Sequence, residues 1–178
     1  MNYVCPYIKQ VEFHTQSGKL SVEKSQDKYV MDFPSRKPVP CDIPSVLEQA
    51  LGIKVKATYR ARDLLVLAEK ESDIADIQPD FTLLKQIKDA FAVIVTANAN
   101  DCDFVSRFFA PNAGIDEDPV TGSSHCTLIP FWSEKLNRKE MTARQLSERG
   151  GTLFCEYCGD RVKIGGNAVC YLKGDIDI

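Results

Sequence analysis

Apolar positions recur every second residue at the start of the chain. Val11, Phe13 and Thr15 alternate with polar neighbours, Ser17-Gly18 interrupts, and Leu20 and Val22 resume the period, which predicts two strands around a turn. Residues 29–33 predict a third strand. Pro34, Pro38, Pro40 and Pro44 then deny the backbone a continuous ladder, so residues 34–43 read as a linker. A short helix is predicted over 44–51, with proline at its start and Gly52 just past its end. Residues 54–60 and 63–68 flank Ala61-Arg62 as a hairpin, and 80–89 predict an amphipathic helix capped by Asp80. Strands follow over 91–97, the most apolar run, and 104–109. In residues 122–136 the density of Leu128, Ile129, Phe131, Trp132 and Leu136 fits a buried, central helix. Alternation returns over 152–157, 161–164 and 168–172, broken by Gly150-Gly151, Gly159 and Gly165-Gly166, as in an antiparallel meander. Strands around a few helices, without regular strand-helix alternation, predict an α+β fold.

Composition narrows the class of partner. The 178 residues suffice for one ordinary domain or two small lobes around a cleft. With 22 Lys and Arg against 25 Asp and Glu the formal net charge is −3, so no broad basic field attracts nucleic acid or an anionic bilayer. No apolar run approaches the roughly 20 residues that span a bilayer, and residues 1–10 lack the regions of a signal peptide. The seven cysteines form an odd, scattered set, which predicts free thiols in a reducing compartment and a cytoplasmic location.

The chemistry concentrates in residues 114–125, GIDEDPVTGSSH, where three acids precede a Thr-Gly-Ser-Ser run that opens the most apolar helix. First-turn amides are unpaired and carry partial positive charge, so they suit a carboxylate or phosphate. Gly122 lets a ligand approach the backbone, Ser123 and Ser124 offer hydroxyl donors, and Asp118 would face the bound molecule as a proton donor or acceptor. Spacing alone serves a plainer reading equally well, in which Thr121 or Ser123 caps the helix and the acids complement its dipole.

Other residues carry weaker signals. Cys155 and Cys158 form a lone CxxC with no second pair and no thioredoxin-like surroundings, so packing is the expected role. Cys126 reads as a small buried helix residue. His14 reads as a half-buried strand position, and two histidines make a metal site improbable; none is expected. Arg107 could hold a substrate carboxylate bidentately or pair with Glu117 or Asp118. Gly150-Gly151 reads as a turn needing positive φ, and the acids between Asp73 and Asp80 as a solvated surface.

Arg107-Phe108-Phe109-Ala110-Pro111, then Gly114, then Glu117-Asp118-Pro119-Val120-Thr121-Gly122-Ser123-Ser124-His125-Cys126 resembles the signature of the phenazine biosynthesis PhzF-like proteins, which share the diaminopimelate epimerase fold. The resemblance extends to Phe13-His14-Thr15-Gln16-Ser17-Gly18, to Met31-Asp32-Phe33-Pro34 and to Gln145-Leu146-Ser147-Glu148-Arg149-Gly150-Gly151, and so covers essentially the whole chain. It implies lobes built as curved antiparallel sheets around a central helix, with a substrate cleft between them. It also implies cofactor-independent proton shifts on a small carboxylic or amino-acid-like substrate. Asp118 matches the family's aspartate, Ser123 a serine near the substrate, and Gly122 to Ser124 the turn that receives its carboxylate.

The family's catalytic glutamate, in a Ser-Glu-Thr-like motif, and a Gly-His-Ala-Thr-like helix start have no match in these residues and are expected upstream of Met1. The expected organisation is therefore a remnant of the first lobe over 1–33, a full second lobe over 34–172, and a strand over 173–178 returning to the first. The expected protein is an isomerase working without cofactor, as a homodimer, on a small anionic substrate. The competing expectation is a remnant that binds an anion, or itself, without turnover.

Overall fold

The computed structural model describes residues 7–16 and 18–174. Twelve strands form one mixed sheet: β1 (Gln10–Thr15), β2 (Gly18–Ser25), β3 (Lys28–Pro34), β4 (Val39–Cys41), β5 (Ala57–Arg60), β6 (Leu64–Leu67), β7 (Val93–Asn98), β8 (Phe104–Ala110), β9 (Ile115–Glu117), β10 (Glu140–Gln145), β11 (Gly151–Tyr157) and β12 (Arg161–Gly166). The helices are α1 (Leu47–Leu51), α2 (Glu71–Ala75), α3 (Phe81–Leu84) and α4 (Gly122–Leu136). The sheet runs β1-β2-β3-β12-β11-β10-β8-β7-β6-β5-β4, with β9 paired to β8 off this path. Two pairings, β6 with β7 and β8 with β10, are parallel and the rest antiparallel. The α+β fold predicted from the sequence is present.

The sheet curls around α4. Met31, Phe33, Val162, Ile164, Leu153, Cys155, Met141, Ala143, Phe104, Phe108, Ile94, Leu65, Leu67 and Tyr59, from eight strands, share one core with Cys126, Leu128, Ile129, Phe131 and Trp132 of α4. Every residue from Ser124 to Ser133 is buried, which is why the helix can be apolar on all sides. A second core lies on the opposite face, where Leu47 and Leu51 of α1, Ile74 of α2 and Leu84 of α3 pack on Leu64, Val66, Val93, Val95, Val105 and Phe109. Successive strand residues point to opposite faces, so β8 feeds both cores.

Pro130 sits inside α4 and has no N–H for the Cys126 carbonyl one turn back. The backbone N–H of Arg36 takes that place, donating to the Cys126 carbonyl at 2.8 Å. The linker predicted over 34–43 is thus pinned to the central helix, and it contains β4.

Several expectations need adjusting. The helix predicted over 80–89 keeps its Asp80 cap, whose side chain accepts from Thr82 N and Leu83 N, but the α-helix ends at Leu84. The alternating residues 168–172 form no strand: they find no sheet neighbour, and Tyr171 is 98% exposed. α2 arises in the acidic stretch read as a solvated surface, because Ile74 and Ile77 anchor it to the second core. β1, β2 and β3 continue the main sheet through β12. Ser17 of the first turn and residues 175–178 of the expected returning strand lie outside the described residues. Among the described residues no helix is long and apolar enough to cross a membrane.

Candidate active site

The turn into α4 is assembled by three neighbours. β9 brings the chain back along β8, and the Asp118 N–H donates to the Phe108 carbonyl at 3.1 Å. Gln145, at the end of β10, is buried on the α4 side of the sheet. Its Nε2 donates to the Asp118 carbonyl at 2.6 Å and to Thr121 Oγ1 at 3.2 Å, while its Oε1 accepts from the Thr121 N–H at 2.8 Å. Ser147 Oγ donates to the Pro119 carbonyl at 2.7 Å and accepts from the Gly150 N–H at 3.0 Å. Gly150 has φ +64°, the turn conformation expected there, and a side chain on Gly151 would meet Val120 Cγ2 at 2.7 Å. The loop is therefore held from below by hydrogen bonds and from the side by close packing.

Within it, Thr121 Oγ1 donates to Asp118 Oδ2 at 2.6 Å. Oδ1 accepts no hydrogen bond among the described residues. Thr121 occupies the helix N-cap, yet its hydroxyl serves Asp118 and no side chain caps the first turn. The plain capping role is thus unfilled, and the first amides of α4 stay open to a ligand. Gly122 has room above it: a Cβ there would lie at ordinary contact distance, 3.7 Å, from Met31 Cε. A cleft of about 890 Å³, lined by Met31, Val120, Gly122, Leu153 and Ile164 among others, opens beside the turn.

Asp118, Gly122, Ser123 and Ser124 come together in this turn, with differences from the expected roles. Ser124 is buried, and its hydroxyl is spent on the Thr121 carbonyl at 2.8 Å, so it offers only its backbone N–H. Arg107 does not join the group. It lies on β8 beside Val105 and Phe109, whose side chains face the second core and not α4. Its guanidinium is bidentate to Glu117, Nε to Oε1 at 2.7 Å and Nη2 to Oε2 at 2.8 Å, and Nη1 donates to the Ile77 carbonyl at 2.8 Å. Arg107 fastens β8 to β9 and α2; it is not available to a carboxylate in the cleft. Ser123 carries a contact that the sequence did not reveal, accepting from Arg62 Nη2 at 3.2 Å.

Burial pushes the Cys155 thiol up to about 12, and Cys158 is exposed, so the two do not form a matched pair. Burial also raises Cys126, which leaves it unreactive. His14 is exposed on β1. Among the described residues no three His, Cys, Asp or Glu side chains converge as a metal site would require.

His125 is fully buried, and its Nδ1 donates to the Thr121 carbonyl at 2.7 Å. Burial pushes this imidazole down to about 4 from 6.5. The unfolded chain therefore takes up the proton first as pH falls, and the stability that neutral His125 contributes is complete above about 6.5 and lost as pH drops through about 4. Urea midpoints recorded at pH 7 and pH 4.5 should fall more steeply for the native protein than for His125→Gln; equal slopes would remove His125 as the cause.

The site is thus an acidic loop at the open start of a buried helix that a curved sheet surrounds. The chain matches the phenazine biosynthesis-like (PhzC-PhzF) family over residues 4–174 and belongs to that family. Two uncharacterized isomerases of Pseudomonas aeruginosa are 42% and 46% identical over 168 and 169 residues, each match covering 94% of this chain and 64% of the relative. The chain thus spans just under two thirds of the length of these relatives. A crystal structure of a PhzF-family protein from Enterococcus faecalis superposes with a TM-score of 0.94 at 42% identity, covering 99% of this chain and 68% of that one. A hydroxyproline epimerase from Agrobacterium vitis superposes with a TM-score of 0.51 at 10% identity over 91% of this chain and 57% of its own, a likeness of fold alone.

Proposed function

We propose that the chain supplies one wall of an isomerase site that moves a proton on a small carboxylic or amino-acid-like substrate. Asp118 exchanges the proton, and the amides of Gly122, Ser123 and Ser124 with the Ser123 hydroxyl receive the substrate carboxylate. Removing a proton beside a carboxylate leaves charge on that carboxylate, where helix-start amides and a hydroxyl stabilise it. Return of the proton at another position, or on the other face, completes an isomerisation. The step uses side-chain acid and base alone. The opposing glutamate that the family resemblance implies has no counterpart in this turn, so the reading assigns this chain half of the proton path.

The observation that carries the reading is the Asp118 carboxylate, held by Thr121 at 2.6 Å with no partner for Oδ1 among the described residues, in the same turn as a helix start with no side-chain cap. The six free cysteines among the described residues suit a reducing, cytoplasmic setting. Phe13, 49% exposed on β1, gives a second copy an apolar surface to cover in a homodimer.

The test is incubation with small amino and dihydroaromatic acids in deuterium oxide, following carbon-bound deuterium by NMR. The reading expects exchange into at least one acid, and Ser123→Ala to weaken its binding about tenfold, as loss of one hydrogen bond to a charged group would. Binding at Gly122 to Ser124 with no exchange into any acid would instead leave an anion-binding protein.

A further inference from the structure

Arg62 and Asp63 form the connection between β5 and β6, at the edge of the helix start. Asp63 is entirely buried and holds the Arg62 guanidinium at both ends, Oδ1 to Nε at 3.0 Å and Oδ2 to Nη2 at 2.9 Å. The Phe91 ring lies under the same guanidinium, 4.6 Å from its central carbon. Held in this way, the second hydrogen of Nη2 reaches Ser123 Oγ at 3.2 Å.

The placement runs against ordinary helix electrostatics. A cation at the first turn of a helix opposes the partial positive charge there and belongs at the other end. Both carboxylate oxygens of buried Asp63 hold Arg62. A local rule broken in this way is the mark of a functional or strained site.

The hydrogen-bond count shows what is gained. Arg62 can only donate, so Ser123 Oγ is fixed as its acceptor. The Ser123 hydroxyl hydrogen then has no acceptor among the described residues. Ser124, one residue on, is the contrast: its hydrogen is spent on the Thr121 carbonyl.

We infer that Arg62 is a positioning residue that sets Ser123 as a one-way donor and thereby selects an anionic carboxylate over a neutral group of the same shape at the start of α4. This rests on the carboxylate grip proposed above. Specificity of this kind comes from directed donors that a neutral amide, carrying its own N–H groups, satisfies poorly.

The experiment uses benzoate and benzamide as probes of equal size, titrated into the full chain while the Gly122, Ser123 and Ser124 amides are followed by NMR. Because Arg62→Met alone strands Asp63, the variant is Arg62→Met with Asp63→Asn, compared with Ser123→Ala and with all three substitutions together. The native protein should prefer benzoate by about tenfold or more, as a hydrogen bond to a charged acceptor would give. The preference should fall to near unity in the charge-free pair and in Ser123→Ala, with no further loss when they are combined, and Ser123→Thr should restore it. An unchanged preference in the charge-free pair, or losses that simply multiply, would overturn the role of Arg62 while leaving the carboxylate grip in place. Failure of benzoate to shift these amides in the native protein would overturn both.

Discussion

Asparagine in place of Asp118 is expected to slow deuterium exchange into substrate by about a hundredfold to ten-thousandfold, the usual contribution of a positioned acid or base. The substitution is close to isosteric and spares the scaffold. Gln145 binds the Asp118 backbone carbonyl and not its side chain, and an asparagine oxygen can still accept from Thr121 Oγ1. What is lost is the ability to take up and release a proton. Thermal midpoints of the two proteins should agree within a degree or two while the exchange rates diverge. A variant that exchanges at the native rate would remove Asp118 from the proton path; one that unfolds early would mean that its charge is structural.

Arg62→Met is expected to cost about 3 kcal/mol of folding stability, at the lower end of the range for breaking a buried ion pair by removing one partner. The lower end applies because the Arg62 side chain is 34% exposed although Asp63 is not exposed at all. The penalty comes from Asp63, left charged in a site with no other cation bonded to it among the described residues, and not from the attraction forgone. Adding Asp63→Asn should therefore recover most of the loss, and urea denaturation of the single and paired variants measures both. If the pair is as unstable as Arg62→Met alone, the cost lies in lost packing against Phe91.

How far the sequence foretold these arrangements depends on how local their causes are. The α4 helix and the β5-β6 hairpin were legible because their apolar spacing lies within a dozen residues, and the Asp80 cap because capping is a contact across two or three residues. β10 was not: its inward positions are Met141, Ala143 and Gln145, a weak alternation that acquires meaning only when β8 and β11 lie alongside. Residues 168–172 erred in the other direction, with a strand's alternation and no neighbour to pair with. At the candidate site, the glycine-serine turn and its aspartate lie close together in sequence, so their juxtaposition could be read from it. The contacts of Gln145, Ser147 and Arg62 could not, since each acts on residues 27, 28 and 61 positions away in the chain. Gln145 and Ser147 stood within the motif that carried the family resemblance, but nothing in their types said that they would hold the loop. The role of Arg107 was left open between ligand and strut; its place on the outward side of β8 decides for the strut, and strand parity in the sequence would have given the same answer once Phe108 was assigned to the core.

Pro130 has a consequence beyond the helix that contains it. A helix interior normally presents a closed surface of backbone, indifferent to whichever segment crosses it. By withholding one donor, Pro130 makes a socket that a single peptide group fits, and the Arg36 amide fills it. The crossing between β3 and β4 therefore has a defined address on α4, and a chain that slipped by one residue there would bury an unanswered carbonyl in the core. An exchange of Pro130 for alanine would supply the Cys126 carbonyl with a donor from within the helix and set the Arg36 amide in competition with it.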